Sequence, residues 1–415
     1  MTLQPRQTKA HRYAPERGAI LIQVAVAIIV LIAFTMFVVD YGILWVSRRQ
    51  AQNAADAGAM AGAIALAFDN FTDRSDTGPA KTAAHTLATS NEVWEESPDV
   101  NLATDVTFPA CPDDGSNTCI RVDVYRNQAR LNPLPMWFGQ LVGLTDQGVK
   151  ATAIAQAAAA NASDCLKPFA IPDKWLDIHD ETPVIDVETW TADDTFDKHA
   201  DKLGTQPLPN PDYYRAPKTN GPNDTGTGFT LDPDKGTMLT LKAGGPQDSI
   251  APGFFFPVRL PRADGESTGG DDYRDNIATC NGVPIEIGQL MENEPGNMIG
   301  PTFQGMADLI ALDPNATWNA TDEVIENSCA QDPNPCAPTS PRLVAIPVFD
   351  TGVYYDGKIN GLVTLRIANI LGFFINSIQG NEVTGYFTTI PGLTVGTGGT
   401  VPTASSFMTS VVLVR

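Results

Sequence analysis

Residues 17–68 read RGAILIQVAVAIIVLIAFTMFVVDYGILWVSRRQAQNAADAGAMAGAIALAF, and this stretch decides the fold. Within its first part, Ala19–Val39, only Gln23 and Thr35 are polar. As an α-helix this part would be about 31 Å long, which matches the hydrocarbon thickness of a bilayer. A core helix of a soluble protein would carry a polar face, and this one has none. The sequence therefore predicts a transmembrane helix at residues 19–39.

The flanks of this helix predict an uncleaved anchor. A signal peptide has a shorter apolar region and small residues at its cleavage site, whereas Tyr41 and Trp45 follow here, as interfacial aromatic residues do. Residues 1–18 carry four Lys or Arg residues, and the opposite flank carries Arg48 and Arg49. The positive-inside rule therefore places the N-terminal tail in the cytoplasm and the rest of the chain outside it.

The second part, residues 40–68, is rich in Ala, the strongest helix former, so we expect the helix to continue beyond the membrane. Gly58 and Gly62 give it a narrow surface that another element can approach closely. Their spacing resembles a membrane dimer motif, but they lie beyond the apolar span. Packing of this surface on its own domain is favoured over dimerisation.

The remainder of the chain is acidic. The 415 residues have a net charge of −21, and residues 1–50 contribute six basic and two acidic groups, or +4, so the rest sums to −25. Nucleic-acid binders need basic patches, so no nucleic-acid partner is expected. Solubility is the simplest reason for the charge. The segment 232–236 is only a fragment of a calcium-binding loop.

All six cysteines follow residue 110. Cys111 with Cys119, and Cys329 with Cys336, could each close a short turn-rich loop, which would leave Cys165 to pair with Cys280. Six cysteines allow 15 connectivities, and this choice depends on local spacing alone. Disulfides would imply an oxidising compartment, and the absence of a Cys-x-x-Cys pair argues against zinc or thioredoxin-like chemistry.

We predict an α+β fold in which an N-terminal transmembrane helix continues into an Ala-rich helix, followed by a mixed α/β ectodomain with a loop-rich, β-rich C-terminal region. The predicted segments are a cytoplasmic tail at 1–18, the transmembrane helix at 19–39, the Ala-rich helix plus a small α+β domain at 40–160, a loop-rich acidic insert at 161–340 and a β-rich C-terminal part at 341–415.

Alternating or apolar runs predict the elements of the ectodomain. The alternation in Cys119–Tyr125 is typical of a strand. The apolar runs at 134–144 and Asn369–Ile378 predict two short helices. The aromatic runs Phe254–Phe256 and Phe373–Ile375 fit a buried core better than an exposed edge for a partner.

Residues 17–68 resemble the N-terminal segment of the TadG-like family of Flp/Tad (tight adherence) pilus-assembly proteins. The resemblance depends on Arg17-Gly18, the apolar span, Asp40-Tyr-Gly, the basic pair and Gln-x-x-Asn-Ala-Ala-Asp-Ala, and it continues more loosely through Met136–Ala155. It implies a single-pass protein of the bacterial inner membrane with a periplasmic or extracellular ectodomain. Its partners would be the membrane and other pilus or envelope proteins, and its oligomeric state stays open.

Two features of related proteins have no counterpart here. Some family members carry a von Willebrand A domain with a metal-binding Asp-x-Ser-x-Ser loop, and the nearest match, 114–118, lies inside the Cys111–Cys119 loop. Prepilins have a Glu five residues after the Gly at which they are cut, whereas Gln23 follows Gly18 here. We therefore expect no metal-dependent adhesion and favour an uncleaved anchor, with processing at Gly18 as the alternative.

The sequence predicts no catalytic, cofactor-binding or metal-binding residues. It contains no nucleophile elbow, Walker loop or dinucleotide fingerprint. The spacing of the histidines and their neighbouring carboxylates fits no zinc template; these residues are His11, His85, His179, His199, Asp177, Asp193 and Asp197. We expect a non-enzymatic protein. The alternative is a membrane-tethered extracytoplasmic hydrolase or carbohydrate-binding protein with its site in 161–340.

Overall fold

The computed structural model describes residues 17–69, 72–179, 186–188, 194–196, 212–243, 250–262, 265–266, 269–294, 296, 298–328, 339–357, 364–380, 382–396 and 399–414. The chain divides into two compact units. The first comprises residues up to 156 together with 413–415, and the second comprises 157–412.

The first unit begins with one unbroken helix, α1 (Arg17–Phe68). Its apolar half is exposed over its whole circumference, and a segment of α1 is long and apolar enough to cross a membrane. In its second half the Ala side chains on one face are buried, as at Ala55, Ala59 and Ala63. The predicted continuity of the apolar and Ala-rich halves is confirmed.

The glycines of α1 allow a second helix, α2 (Pro79–Ser90), to pack closely on it. A Cβ atom at Gly58 would lie 2.8 Å from the Cβ of Ala88, and one at Gly62 would lie 2.9 Å from the Cβ of Ala84. Real Cβ atoms do not approach so closely, so only Gly fits at these two positions. The preference for packing on its own domain is confirmed.

Three neighbouring strands of a sheet complete the first unit. They are β1 (Val106–Thr107), β2 (Cys119–Arg126) and β3 (Val149–Ala159), and the last three residues of β3 belong to the second unit. Strand β2 pairs along its whole length with β3, from Cys119 opposite Gln156 to Arg126 opposite Val149. The alternation in the sequence of β2 therefore predicted its structure correctly.

The second unit contains four helices and seventeen strands among the described residues. They are β4 (Ala162–Ser163), β5 (Phe169–Pro172), β6 (Asp177–His179), β7 (Asp186–Glu188), α3 (Leu231–Asp234), β8 (Met238–Ala243), β9 (Phe254–Pro257), β10 (Pro261–Arg262), β11 (Gly265–Glu266), α4 (Gly270–Ala278), β12 (Ile285–Glu286), β13 (Leu290–Glu292), α5 (Ile299–Leu312), β14 (Thr317–Asn319), β15 (Val324–Glu326), β16 (Leu343–Phe349), α6 (Thr351–Gly357), β17 (Thr364–Gln379), β18 (Glu382–Thr388), β19 (Ile390–Pro391) and β20 (Met408–Val414), whose last residues belong to the first unit.

A seven-stranded sheet forms the centre of the second unit, in the order β13-β17-β16-β5-β9-β8-β18. A further pairing of β17 with β18 closes it on itself, which leaves few free edges. The segment predicted as a loop-rich insert supplies β5, β8, β9 and β13, and the C-terminal part supplies β16, β17 and β18. Both segments therefore build one sheet.

The central strands are buried on both faces. Phe254, Phe256 and Ile370 belong to one apolar cluster, whereas Phe255 and Phe373 belong to another. The aromatic runs at 254–256 and 373–375 are core, as the sequence favoured.

The predictions of short helices at 134–144 and Asn369–Ile378 are wrong. Asn369–Ile378 lies inside β17, and because side chains on both of its faces are buried, its sequence carries no alternation that would distinguish it from a helix. Within 134–144 only Gly139–Val142 is helical, as a 3-10 turn. Pro133 and Pro135 restrict the chain before this turn.

Disulfides join Cys111 to Cys119 and Cys165 to Cys280, which are the two described pairs that the spacing predicted. Cys329 and Cys336 lie outside the described residues.

The packing of α1 on α2 yields a stability prediction. Gly58→Ala should lower the free energy of unfolding by about 1–3 kcal/mol, because the new methyl group overpacks the contact with Ala88. Gly42→Ala is the matched control on the same helix, because no atom lies within 4 Å of a Cβ built at Gly42. Its helix propensity should raise stability by up to about 1 kcal/mol. Thermal unfolding of the detergent-solubilised protein measures both changes. Equal midpoints for the two variants would contradict the close packing.

Candidate functional site at the end of the apolar helix

Asp40 is the first charged residue after the apolar run of α1, and it is only 8% exposed. A charge near hydrocarbon needs partners, because an isolated carboxylate there is costly. The partners of Asp40 come from the segment 134–147, which we call the juxtamembrane loop.

Three successive backbone N–H groups of the juxtamembrane loop donate to the Asp40 carboxylate. Trp137 N lies 3.0 Å from Oδ1, Phe138 N lies 3.1 Å from Oδ2, and Gly139 N lies 2.7 Å from Oδ2. These groups stand at the start of the 3-10 turn Gly139–Val142, where orphan N–H groups and the local dipole favour an anion. The carboxylate therefore fixes the loop to α1 much as a capping residue fixes a helix end.

Further hydrogen bonds close the loop across its two ends. Backbone bonds join Leu134 and Gln147 across the loop, with Leu134 N donating to Gln147 O at 2.8 Å. The Gln147 amide nitrogen donates to the carbonyl of Pro135 at 3.0 Å and more weakly to that of Asp40 at 3.4 Å. The loop thus closes as a compact unit.

A buried arginine holds the base of the juxtamembrane loop. Arg126, at the end of β2, donates to the carbonyl oxygens of Val93 at 2.6 Å and Pro133 at 3.1 Å, and it pairs with Glu96 at 3.1 Å. Burial lowers the pKa of the Arg126 guanidinium, and the charge of Glu96 opposes that shift. Strand β2 therefore determines where the loop leaves the sheet.

An apolar cavity of about 410 Å³ lies between α1 and the juxtamembrane loop. One stripe of α1 lines it from Ala33 through Phe37 to Leu44, and Met136 and Phe138 line the opposite wall. Ring stacking of Phe37 on Tyr41, with centroids 5.8 Å apart, stabilises the helical wall. The cavity therefore begins beside the apolar span, at Ala33, and ends at Leu44, one turn beyond Asp40 along α1.

Large apolar side chains around this cavity are exposed. Trp137 is 65% exposed, and Tyr41, Trp45 and Leu144 are each about half exposed. Exposed aromatic residues at this level are typical of a membrane–water interface.

The second unit contains a pair of carboxylates that bears on the enzymatic alternative. Asp173 and Asp350 follow the neighbouring parallel strands β5 and β16, where Pro172 is in register with Phe349. Asp173 is fully buried and accepts hydrogen bonds from the backbone N–H groups of Lys174 and Phe229, each at 3.0 Å.

The other oxygen atoms of these carboxylates are also engaged. Tyr214 donates its hydroxyl to Asp173 Oδ2 at 2.9 Å, and Arg366 forms an ion pair with Asp350. Burial raises the pKa of Asp173 to about 7, and the charge of Asp350 adds to the shift. The arrangement ties the segment that carries Tyr214 and Phe229 to the ends of the two strands.

The histidines and carboxylates whose spacing fits no zinc template are scattered along the chain. Among the described residues, no three His, Cys, Asp or Glu side chains form a group that could hold a metal ion. His85 lies on α2, and His179 ends β6. His11, His199, Asp193 and Asp197 lie outside the described residues. Asp114 accepts from Ser116 N at 2.8 Å inside the Cys111–Cys119 loop.

Sequence reasoning noted Asp40 within a motif but did not predict its partners. These partners lie nearly a hundred residues away along the chain. The only signal in the sequence is a lone carboxylate directly after an apolar span.

Residues 18–65 match the Tad family model, described as Flp pilus-assembly TadE/G-like. The match covers most of α1, and it confirms the resemblance predicted for this segment. No curated protein and no solved structure matches the chain significantly.

The Asp40 contacts predict a local loss of protection. Asp40→Ala should speed amide hydrogen exchange at residues 137–139 about 10-fold or more, because their N–H groups, of which that of Gly139 is buried, lose the acceptor. Asp146→Ala is the control, since Asp146 is exposed in the same loop. Exchange measured by mass spectrometry in detergent micelles tests this. Unchanged exchange in Asp40→Ala would show that the carboxylate does not hold the loop.

The raised pKa of Asp173 predicts a pH dependence. The unfolded state ionises near 3.8 and the folded state near 7, so the free energy of unfolding should fall as pH rises between these values, by an amount on the order of 4 kcal/mol from this group. Asp173→Asn can accept both backbone N–H groups at Oδ1, while its Nδ2 donates to the Tyr214 hydroxyl oxygen in place of the bond that Tyr214 donates now. Because the amide does not ionise, this variant should flatten the slope. Urea unfolding between pH 4 and 8 measures it, with the exposed Asp232→Asn as control. An unchanged slope in Asp173→Asn would contradict the assignment.

Proposed function

We propose that this protein is a membrane-anchored, non-enzymatic component of a Flp/Tad-type pilus assembly or a related envelope apparatus. The anchor is the apolar half of α1, with the N-terminal tail in the cytoplasm and the acidic ectodomain in the periplasm or outside the cell. The ectodomain contacts other pilus or envelope proteins.

The observation that carries this proposal is the coincidence of the family match with α1. Residues 18–65 cover both the exposed apolar half and the small-residue half of the helix. Because α1 is unbroken, the anchor and the first helix of the ectodomain form one element. The segment typical of the pilus-assembly family is therefore the one that attaches the domain to the membrane.

The chemistry of the ectodomain favours protein contacts over catalysis. The chain beyond residue 50 carries a net charge of −25, which suits solubility and selective contacts with basic surfaces. The buried carboxylates Asp173 and Asp350 already have partners inside the fold, which supports a structural role for them.

Site-specific photo-crosslinking in intact host cells tests the proposal. A photoreactive amino acid replaces Trp45 or Ile64, which are exposed on α1 at 49% and 48%. We expect covalent capture of pilus or envelope proteins, identified by mass spectrometry after denaturing purification, because these side chains face outward within the family-matching segment.

The control probe replaces Leu312, an exposed residue of α5 outside that segment. Pilus proteins should be enriched at Ile64 or Trp45 relative to Leu312. Capture of no envelope or pilus protein at either position on α1 would overturn the proposed role.

A further inference from the structure

We propose that the cavity between α1 and the juxtamembrane loop binds one acyl chain of a membrane phospholipid, and that the loop rests in the headgroup layer of the leaflet facing the domain. This inference depends on the proposed membrane anchoring of α1, but not on the pilus partners.

The position of the cavity along α1 points to lipid. At 1.5 Å per residue, Ala33 lies about 10 Å before Asp40, within the apolar span, and Leu44 lies about 6 Å beyond it. The cavity therefore extends from the hydrocarbon region into the interfacial region, so its lower part is in contact with acyl chains wherever α1 spans a bilayer.

The lining of the cavity is suited to hydrocarbon. Ala33, Met36 and Phe37 form one wall, and Met136, Phe138 and Leu144 contribute to the other. The volume, about 410 Å³, lies within the range of about 300–1,000 Å³ typical of small-molecule sites. Met side chains adapt to irregular apolar shapes, which suits a flexible chain.

Two polar side chains that line the cavity, Asp40 and Gln147, already have partners within the protein. The Asp40 carboxylate accepts three backbone N–H groups, and Gln147 donates to two carbonyl oxygens. An aqueous ligand would find few free groups to bind, whereas an acyl chain requires none. The pairing therefore favours an apolar occupant.

The exposed side chains of the loop define its depth. Trp137 N is bonded to Asp40, so Trp137 lies at the level where the apolar span ends. Its side chain is 65% exposed, and that of Leu144 is 56% exposed. In water this exposure would be unfavourable, whereas in a headgroup layer both side chains contact lipid.

Native mass spectrometry of the full-length protein released from nanodiscs of phosphatidylethanolamine and phosphatidylglycerol tests the cavity. The wild type should retain one bound phospholipid. Ala33→Phe should obstruct the end of the cavity that lies in the apolar span and reduce the retained fraction at least fivefold. Ala27→Phe is the matched control, because Ala27 lies on the same apolar span but does not line the cavity. Equal retention in both variants, or none in the wild type, would overturn the proposal.

Fluorescence quenching tests the depth of the loop. The signal of Trp137 is obtained as the difference between the wild type and Trp137→Phe. Lipids brominated on the acyl chain should quench this signal strongly, and aqueous iodide should quench it weakly. The reverse result would place the loop in water and contradict the lipid contact. It would leave the cavity for another occupant, such as a partner helix.

These outcomes are separable from the proposed function. Protease protection of the N-terminal tail in proteoliposomes reports on anchoring, and the crosslinks from Ile64 report on pilus partners. If the protein is inserted and crosslinked but carries no lipid in the cavity, the lipid proposal fails and the pilus-assembly proposal stands. If no pilus protein is captured but Ala33→Phe retains less lipid than Ala27→Phe, the pilus-assembly proposal fails and the lipid proposal stands.

Discussion

The first unit depends on the bonds between the Asp40 carboxylate and three backbone N–H groups of the juxtamembrane loop. A carboxylate at the end of an apolar span and the N–H groups at the start of a 3-10 turn each cost free energy if left unpaired. Here each satisfies the other. The bonds determine where along α1 the loop lies, and the cavity lies between the loop and the helix at that position.

The second constraint is the small size of the side chains on the outer half of α1. Gly58 and Gly62 allow α2 and β2 to approach the helix backbone, and the buried Ala side chains extend that contact. The two halves of α1 therefore have surfaces of different kinds. One suits lipid, because it is apolar on all sides, and the other suits close packing within the domain.

In the second unit, a buried carboxylate connects segments that are distant along the chain. Asp173 is fully enclosed, and its three hydrogen bonds hold a long irregular segment against the ends of β5 and β16. Its raised pKa follows from that enclosure and is a cost in stability near neutral pH. Two carboxylates at the ends of parallel strands resemble a catalytic arrangement, and both have hydrogen-bond or ion-pair partners inside the fold.

The sequence by itself determined the long helix, its apolar and small-residue halves, strand β2 and the Cys111–Cys119 pair, because each depends on local periodicity, composition or short spacing. Cys165 and Cys280 lie 115 residues apart, and the sequence predicted their pairing only as what two local pairs would leave. It misassigned Asn369–Ile378, because a strand buried on both faces has the same continuous apolar run as a buried helix. It also gave no partner for Asp40 or Asp173. Those contacts join segments distant along the chain, so only the tertiary structure decided them. Asp40 alone could be noticed as a charge after an apolar span, whereas the loop that pairs with it is positioned by β2 and Arg126.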